Sequence, residues 1–236
     1  MPPTMTASPI MPQTAPGPDP AAGRPASPAR PARVAGLIYL LIIVAGITSE
    51  FALRGPMLAA PDPLAMIAAD PGRFRLSLLG DLVMLLADVT LALLLYGLLR
   101  KISGPLAQAA MVFRLIQAAL IGAGLIWMSQ VPVLALAGEA GLAGAILGLH
   151  ATGYDVALAF FGVTAGLTAL LLRRGGAAPG LLVAALAGAG VVYVTGGVLR
   201  LVAPGLSPAF APAYLLPVLA ETGLALWLLI VGRVRA

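Results

Sequence analysis

The chain has 236 residues, of which 60% are hydrophobic and only 10% are charged, and its mean hydropathy is +1.01. Soluble domains carry about 25% charged residues, so this composition excludes a soluble globular protein and indicates one embedded in a lipid bilayer. The net charge of +5 does not indicate nucleic-acid binding, because the arginines fall at the ends of apolar runs rather than in a stripe. With no cysteine and one histidine, the chain cannot form disulfides, iron–sulfur clusters or multi-histidine zinc sites, and no cofactor is predicted.

The first 31 residues are predicted to form a disordered tail, separate from a membrane domain at 32–236. They contain ten of the 21 prolines, mixed with Ala, Ser, Thr and Gly, and show no periodicity. The start of the chain is left open between Met1, Met5 and Met11. A cleaved signal peptide is disfavoured, because the first apolar run is long and lacks a small-residue cleavage site.

Six apolar runs predict an all-α bundle of six membrane-spanning helices joined by short loops. The expected spans are 34–53, 76–99, 106–131, 147–172, 180–200 and 213–232. Each has about 20–26 residues, the length that an α-helix needs to cross ~30 Å of hydrocarbon. Connectors rich in Pro and Gly separate the spans, among them "RGPMLAAPDP" and "RRGGAAPG".

The distribution of basic residues predicts the orientation of the bundle. With both termini in the cytoplasm, the inside segments hold Arg24, Arg30, Arg33, Arg100, Lys101, Arg173, Arg174, Arg233 and Arg235. The outside segments then hold Arg54, Arg73, Arg75 and Arg200. The positive-inside rule therefore predicts a multi-pass protein of the bacterial cytoplasmic (inner) membrane with cytoplasmic termini.

Ten polar side chains lie inside or near the spans, where a central charge costs at least ~2.5–3.5 kcal/mol. They are Glu50, Asp81, Asp88, Arg114, Gln117, His150, Tyr154, Asp155, Tyr193 and Glu221. A rise of ~1.5 Å per residue places them in one column in the middle and outer half of the membrane, above an apolar inner third. Five carboxylates around one central arginine would leave excess negative charge within the membrane. We therefore expect that some carboxylates are protonated, or that a bound cation or a water-filled cavity compensates the charge.

Spacing and depth suggest how some of these residues pair. Asp88 and Arg114 fall at the same depth and are expected to form an ion pair between the second and third spans. Glu50 is expected near the outer interface. His150, Glu50 and Asp81 fall at similar depth, so a metal site is kept as a hypothesis, without a metal being assigned to it.

Five stretches carry a family resemblance: "ARVAGLIYLLIIVAGITSEF", "GDLVMLLADVTLALLLYGLLR", "FRLIQAALIGAGL", "LHATGYDVALAFFG" and "ETGLALWLL". In order and spacing they resemble a bacterial family of six-span membrane proteins catalogued as domain of unknown function 4386. The resemblance covers nearly everything from Ala32 onward. It implies the six-span architecture and no activity, because none has been assigned to the family.

Three functions stay open, and catalytic residues are not assigned. The polar cavity can serve a structural, sensory or ligand-binding role. The alternatives are a proton-coupled small-molecule transporter and an intramembrane acid–base or metal-dependent enzyme acting on a hydrophobic substrate. The predicted partner is the lipid bilayer, nucleic acid is excluded, and both a second copy of the chain and a small-molecule or lipid ligand are left open.

Overall fold

A computed structural model describes residues 29–176 and 178–231. Within them, six helices are long and apolar enough to cross a membrane, which confirms the predicted six-helix membrane bundle. The predicted tail falls mainly on residues 1–28, which lie outside the described residues. Arg24, Arg233 and Arg235 also lie outside them.

The first span combines α1 (Ala29–Ile47), a π-helical segment (Thr48–Arg54) and α2 (Gly55–Leu58). This span includes 29–31, which the sequence assigned to the tail. A proline is tolerated there, because N–H groups in the first turn of a helix have no helical hydrogen bond to lose. In the π-helical segment the turn widens, and the backbone N–H of Gly55 donates to the carbonyl of Glu50. Such wide turns are rare and often occur at functional sites.

The rest of the chain completes the bundle. The helices are α3 (Pro63–Ala69), α4 (Pro71–Leu99), α5 (Gly104–Met128), α6 (Val131–Leu136), α7 (Ala140–Gly175), α8 (Gly180–Val202), α9 (Ser207–Phe210) and α10 (Leu215–Ile230), with 3₁₀ turns at Pro204–Leu206 and Ala211–Tyr214. The second, fourth and fifth spans are α4, α7 and α8. The third span is α5 with α6, and the sixth is α10 with the short helices and turns before it.

Local signals explain where the helices begin and end beyond the predicted spans. The Asp70 carboxylate accepts a 3.0 Å hydrogen bond from the N–H of Arg73, and Pro71 takes the first helical position of α4. This combination starts the helix before the apolar run does. At the other end of a span, Gly176 adopts a left-handed φ of 64° and terminates α7.

The six spans form a closed ring in chain order. Each span packs against the next along the chain, and α10 packs back against α1. The backbones approach closely where glycines allow it: a Cβ added at Gly162 would lie 2.7 Å from the carbonyl oxygen of Gly190. Small residues of this kind let membrane helices gain dispersion contacts that larger side chains would prevent.

The two ends of the ring differ in what fills them. One end, the packed half, is filled by an apolar core comprising Ala32, Ala35, Tyr39, Leu91, Leu95, Leu98, Leu99, Ala107, Ala169, Leu171, Leu172, Leu186, Ala189, Ala220, Leu224, Ala225, Trp227 and Leu228. The other end, the cavity half, includes 46–58 of the first span and 211–218 of the last, and it surrounds a cavity.

Candidate functional site

The cavity has a volume of about 580 Å³ and is lined by residues of all six spans. This volume falls within the ~300–1,000 Å³ that is usual for small-molecule pockets. The polar residues singled out from the sequence that line it are Glu50, Asp88, Arg114, Gln117, His150, Tyr154, Asp155, Tyr193 and Glu221. Asp81 is the exception: it binds Arg54, and Arg54 lines the cavity.

Arg114 and Asp88 form an ion pair at the deep end of the cavity and join α5 to α4. The Arg114 Nε donates to Asp88 Oδ1 at 2.9 Å, and Nη2 donates to the same oxygen. The guanidinium carbon lies 5.0 Å from the centre of the Tyr39 ring and 4.9 Å from that of Phe161. Both charged residues are 3% exposed, so the ion pair and two aromatic rings replace the water that the guanidinium has lost.

Arg54 is the main residue that sequence reasoning misplaced. The sequence assigned it to the outer connector, whereas it is 2% exposed, because the π-helical segment continues the first span through this position. Its Nη1 donates to Asp81 Oδ2 at 2.7 Å, and its Nη2 donates to Glu50 Oε2 at 2.6 Å. The spacing of Glu50 and Arg54, four residues apart on one helical face, was the signal that could have found it.

A fourth ion pair joins α7 to α8 near the rim of the cavity. The Arg200 Nε donates to Asp155 Oδ2, and the two side chains are 30% and 18% exposed. The pair is therefore less buried than that of Arg114 and Asp88. Tyr214 of the sixth span lies close by and also lines the cavity.

Glu221 of α10 is held by tyrosine hydroxyls from both neighbouring spans. Tyr193 of α8 donates to Glu221 Oε1, and Tyr39 of α1 donates to Oε2 at 3.4 Å. Sequence reasoning missed Tyr39, because an aromatic residue within an apolar run looks like ordinary core. The contact exists because the ring closes between the first and last spans.

Two buried acceptors on the cavity wall lack a hydrogen-bond partner within the described part of the chain. They are Asp88 Oδ2 and Gln117 Oε1, on residues that are 3% and 7% exposed. Buried polar atoms in proteins are nearly always hydrogen-bonded. The wall around Arg114 thus retains acceptor capacity beyond what the ion pair uses.

His150 and Tyr154 lie one turn apart on α7 and both line the cavity, with ring centroids 6.0 Å apart. The hypothesis of a metal site at His150, Glu50 and Asp81 is not supported by their positions. Among residues 29–176 and 178–231, no group of three His, Cys, Asp or Glu side chains is placed to hold a metal. Arg54 binds both carboxylates instead, so a guanidinium occupies the place between them that a metal ion would need.

Searches of curated proteins and of solved structures found no match. A family model described as Domain of unknown function (DUF4386) matches residues 34–232, a segment that contains all six spans. The chain is an integral, multi-pass membrane protein that belongs to this family.

Proposed function

We propose that the protein binds a small amphiphilic molecule in the cavity. The observation that carries this proposal is a cavity of about 580 Å³ whose wall combines charged groups of several spans with apolar side chains. Small-molecule sites combine these features: a mostly apolar surface and a few fixed polar groups. The apolar part includes Ile42, Ile43, Met84, Leu147 and Leu158.

A purely structural role for the polar residues would not require the cavity. Ion pairs and tyrosine–carboxylate hydrogen bonds can fix the neighbours of each helix while the interior is filled by side chains. Protein interiors are normally close-packed, because side chains next to a void lose dispersion contacts. A ligand in the cavity restores those contacts, so ligand binding accounts for both the polar groups and the space between them.

We propose that the cavity half lies on the extracytoplasmic side of the bacterial inner membrane. This assignment is supported by exposed basic residues at the end of the packed half: Arg30, Arg33, Arg100, Lys101, Arg173 and Arg174. Basic residues accumulate on the cytoplasmic side of membrane proteins. In intact cells, an impermeant maleimide should label Asp70→Cys but not Lys101→Cys, and the reverse pattern would invert the orientation.

Transport and enzymatic catalysis have less support than binding. Proton-coupled transport needs a chain of ionisable groups through the packed half, where the described core is apolar apart from Tyr39 and the buried hydroxyl group of Thr168. Acid–base catalysis needs a substrate whose reacting atoms can be placed beside a named carboxylate or His150, and no such substrate is indicated. A flux of protons across vesicles containing the purified protein would favour transport.

Native mass spectrometry of protein released gently from its membrane tests the proposal. The unaltered protein should retain a bound amphiphile, and Ala151→Phe should lose it, because residue 151 lines the cavity. The matched control is Leu149→Phe, two positions away on the same helix, where the side chain is 58% exposed on the outer surface. Retention by Ala151→Phe, or protein that carries and accepts no amphiphile, would contradict the proposal.

A further inference from the structure

The cavity wall is open on one side, between the first and the last spans. In the cavity half, the π-helical segment Thr48–Arg54 packs against α4 and its chain neighbours α1 and α2. Across from it, the turn Ala211–Tyr214 packs against α8, α9 and α10. The π-helical segment thus packs toward the second span and the turn packs toward the fifth, which leaves a gap between the two segments.

Exposure of the cavity wall marks the position of this gap. Ile47 and Phe51 of the first span and Val218 of the last all line the cavity. They are nevertheless 45%, 73% and 43% exposed. A side chain that contacts the cavity and also the outer surface lies at an opening. Because all three are apolar and lie within the spans, the opening faces lipid.

The opening is limited to the cavity half of this one interface. Nearer the packed half the same two spans are in close contact: a Cβ added at Gly36 would lie 2.7 Å from the carbonyl oxygen of Ala225, and Tyr39 reaches Glu221. Elsewhere around the cavity, direct contacts join neighbouring spans. They are Arg54 with Asp81, Arg114 with Asp88, Asp155 with Arg200, and Tyr193 with Tyr214. The third and fourth spans also approach closely, since a Cβ added at Gly124 would lie 3.0 Å from His150 Nδ1.

We propose that the ligand is a single-chain amphiphile that enters the cavity sideways from the bilayer, through the gap between the first and last spans. The inference rests on the proposed binding function and adds the source and chemical class of the ligand. A molecule dissolved in the leaflet reaches the gap with its apolar chain already among lipids. Its chain then contacts the apolar wall, and its head group faces the charged groups deeper inside. The volume of about 580 Å³ suits one chain with a small head.

Chemical closure of the gap tests this route, since the chain has no cysteine of its own. Phe51→Cys and Val218→Cys lie on its two sides, 73% and 43% exposed, and a flexible bis-maleimide would link them. The control pair is Ile126→Cys and Leu149→Cys, on the adjoining third and fourth spans, 69% and 58% exposed. After linking, the proteins in phosphatidylcholine vesicles receive a monoacylglycerol with a diazirine in its chain, and peptide mapping locates the photo-adducts.

Unlinked proteins should acquire adducts on the cavity wall, for example at Leu147 and Leu158. Linking across the gap should abolish these adducts, and the control link should leave them in place. Wall adducts that persist with the gap linked would overturn sideways entry and leave the binding proposal intact. Loss of the wall adducts in the gap-linked protein and in the control-linked protein alike would also overturn specific entry through this gap. If no protein acquires wall adducts, linked or unlinked, the binding proposal itself fails.

Discussion

The packed half and the cavity half are built from the same six helices, and they are held together by different interactions. In the packed half the helices touch through small and apolar residues such as Gly36 and Ala225. In the cavity half the long side chains of Arg54, Arg114 and Arg200 add ion pairs between neighbouring spans. Glycines bring helices together here too: a Cβ added at Gly197 would lie 2.8 Å from the carbonyl oxygen of Asp155. The comparison teaches that the two halves differ in what fills the interior of the ring, which is apolar side chains in one half and a cavity with charged and polar groups on its wall in the other.

The largest effect is expected from breaking the ion pair where the two halves meet. Arg114→Met leaves the Asp88 charge buried without a partner and should lower the free energy of unfolding by about 3–5 kcal/mol. The measurement is equilibrium unfolding in mixed micelles, followed by circular dichroism. The double variant Arg114→Met with Asp88→Leu should recover most of the loss, because it removes both charges. A single variant as stable as the unaltered protein would show that the pair does not hold the bundle.

The next largest loss of stability is expected to differ between the two carboxylates that bind Arg54. Asp81 is 5% exposed, whereas the side chain of Glu50 is 51% exposed, although both bind Arg54. Asp81→Asn should cost about 1.5–3 kcal/mol, as expected for a buried hydrogen bond between charged groups. Glu50→Gln should cost less than Asp81→Asn, because half of the Glu50 side chain is exposed and Asp81 still pairs with the buried Arg54. Equal losses in the same unfolding experiment would mean that burial does not distinguish the two sites.

A Gly→Ala substitution at two positions of the fourth span tests its close packing against the fifth span. Gly162→Ala should destabilise the bundle by about 1–3 kcal/mol through overpacking, because its Cβ would lie 2.7 Å from the carbonyl oxygen of Gly190. Gly166→Ala is the matched control on the same helix, since no neighbouring atom lies within 4 Å of its added Cβ. The midpoint of thermal unfolding should be lower for Gly162→Ala than for Gly166→Ala. The opposite order would contradict the close contact between the fourth and fifth spans.

The smallest effect on stability is expected in the cavity itself. Ala151→Phe places a ring into existing space, so its midpoint of thermal unfolding should stay close to that of the unaltered protein. Its loss of bound amphiphile would then reflect occupation of the cavity and not unfolding. A large drop in the midpoint would indicate that the space beside Ala151 is too small for a ligand.

The sequence predicted the membrane architecture well, because apolar length and basic flanks are local features. The pairing of Asp88 with Arg114 also followed, since depth along adjacent spans can be estimated from residue number. The position of Arg54 did not follow, because an arginine before Gly-Pro is typical of a connector. The contact of Tyr39 with Glu221 depends on the ring closing between the first and last helices, which no local pattern encodes.

The central claim is that the interior of the ring is accessible to a ligand in the cavity half and filled by apolar side chains in the packed half. In the cysteine-free chain, Ala151→Cys lies on the cavity wall and Ala225→Cys lies in the packed core with 0% exposure. The most direct measurement is the rate at which N-ethylmaleimide, which permeates membranes, modifies each thiol, with full modification after unfolding in sodium dodecyl sulfate as the reference. The account predicts rapid modification at 151, slowed by added monoacylglycerol, and none at 225 in the folded protein. Equal rates at the two positions, or an unreactive thiol at 151, would contradict it.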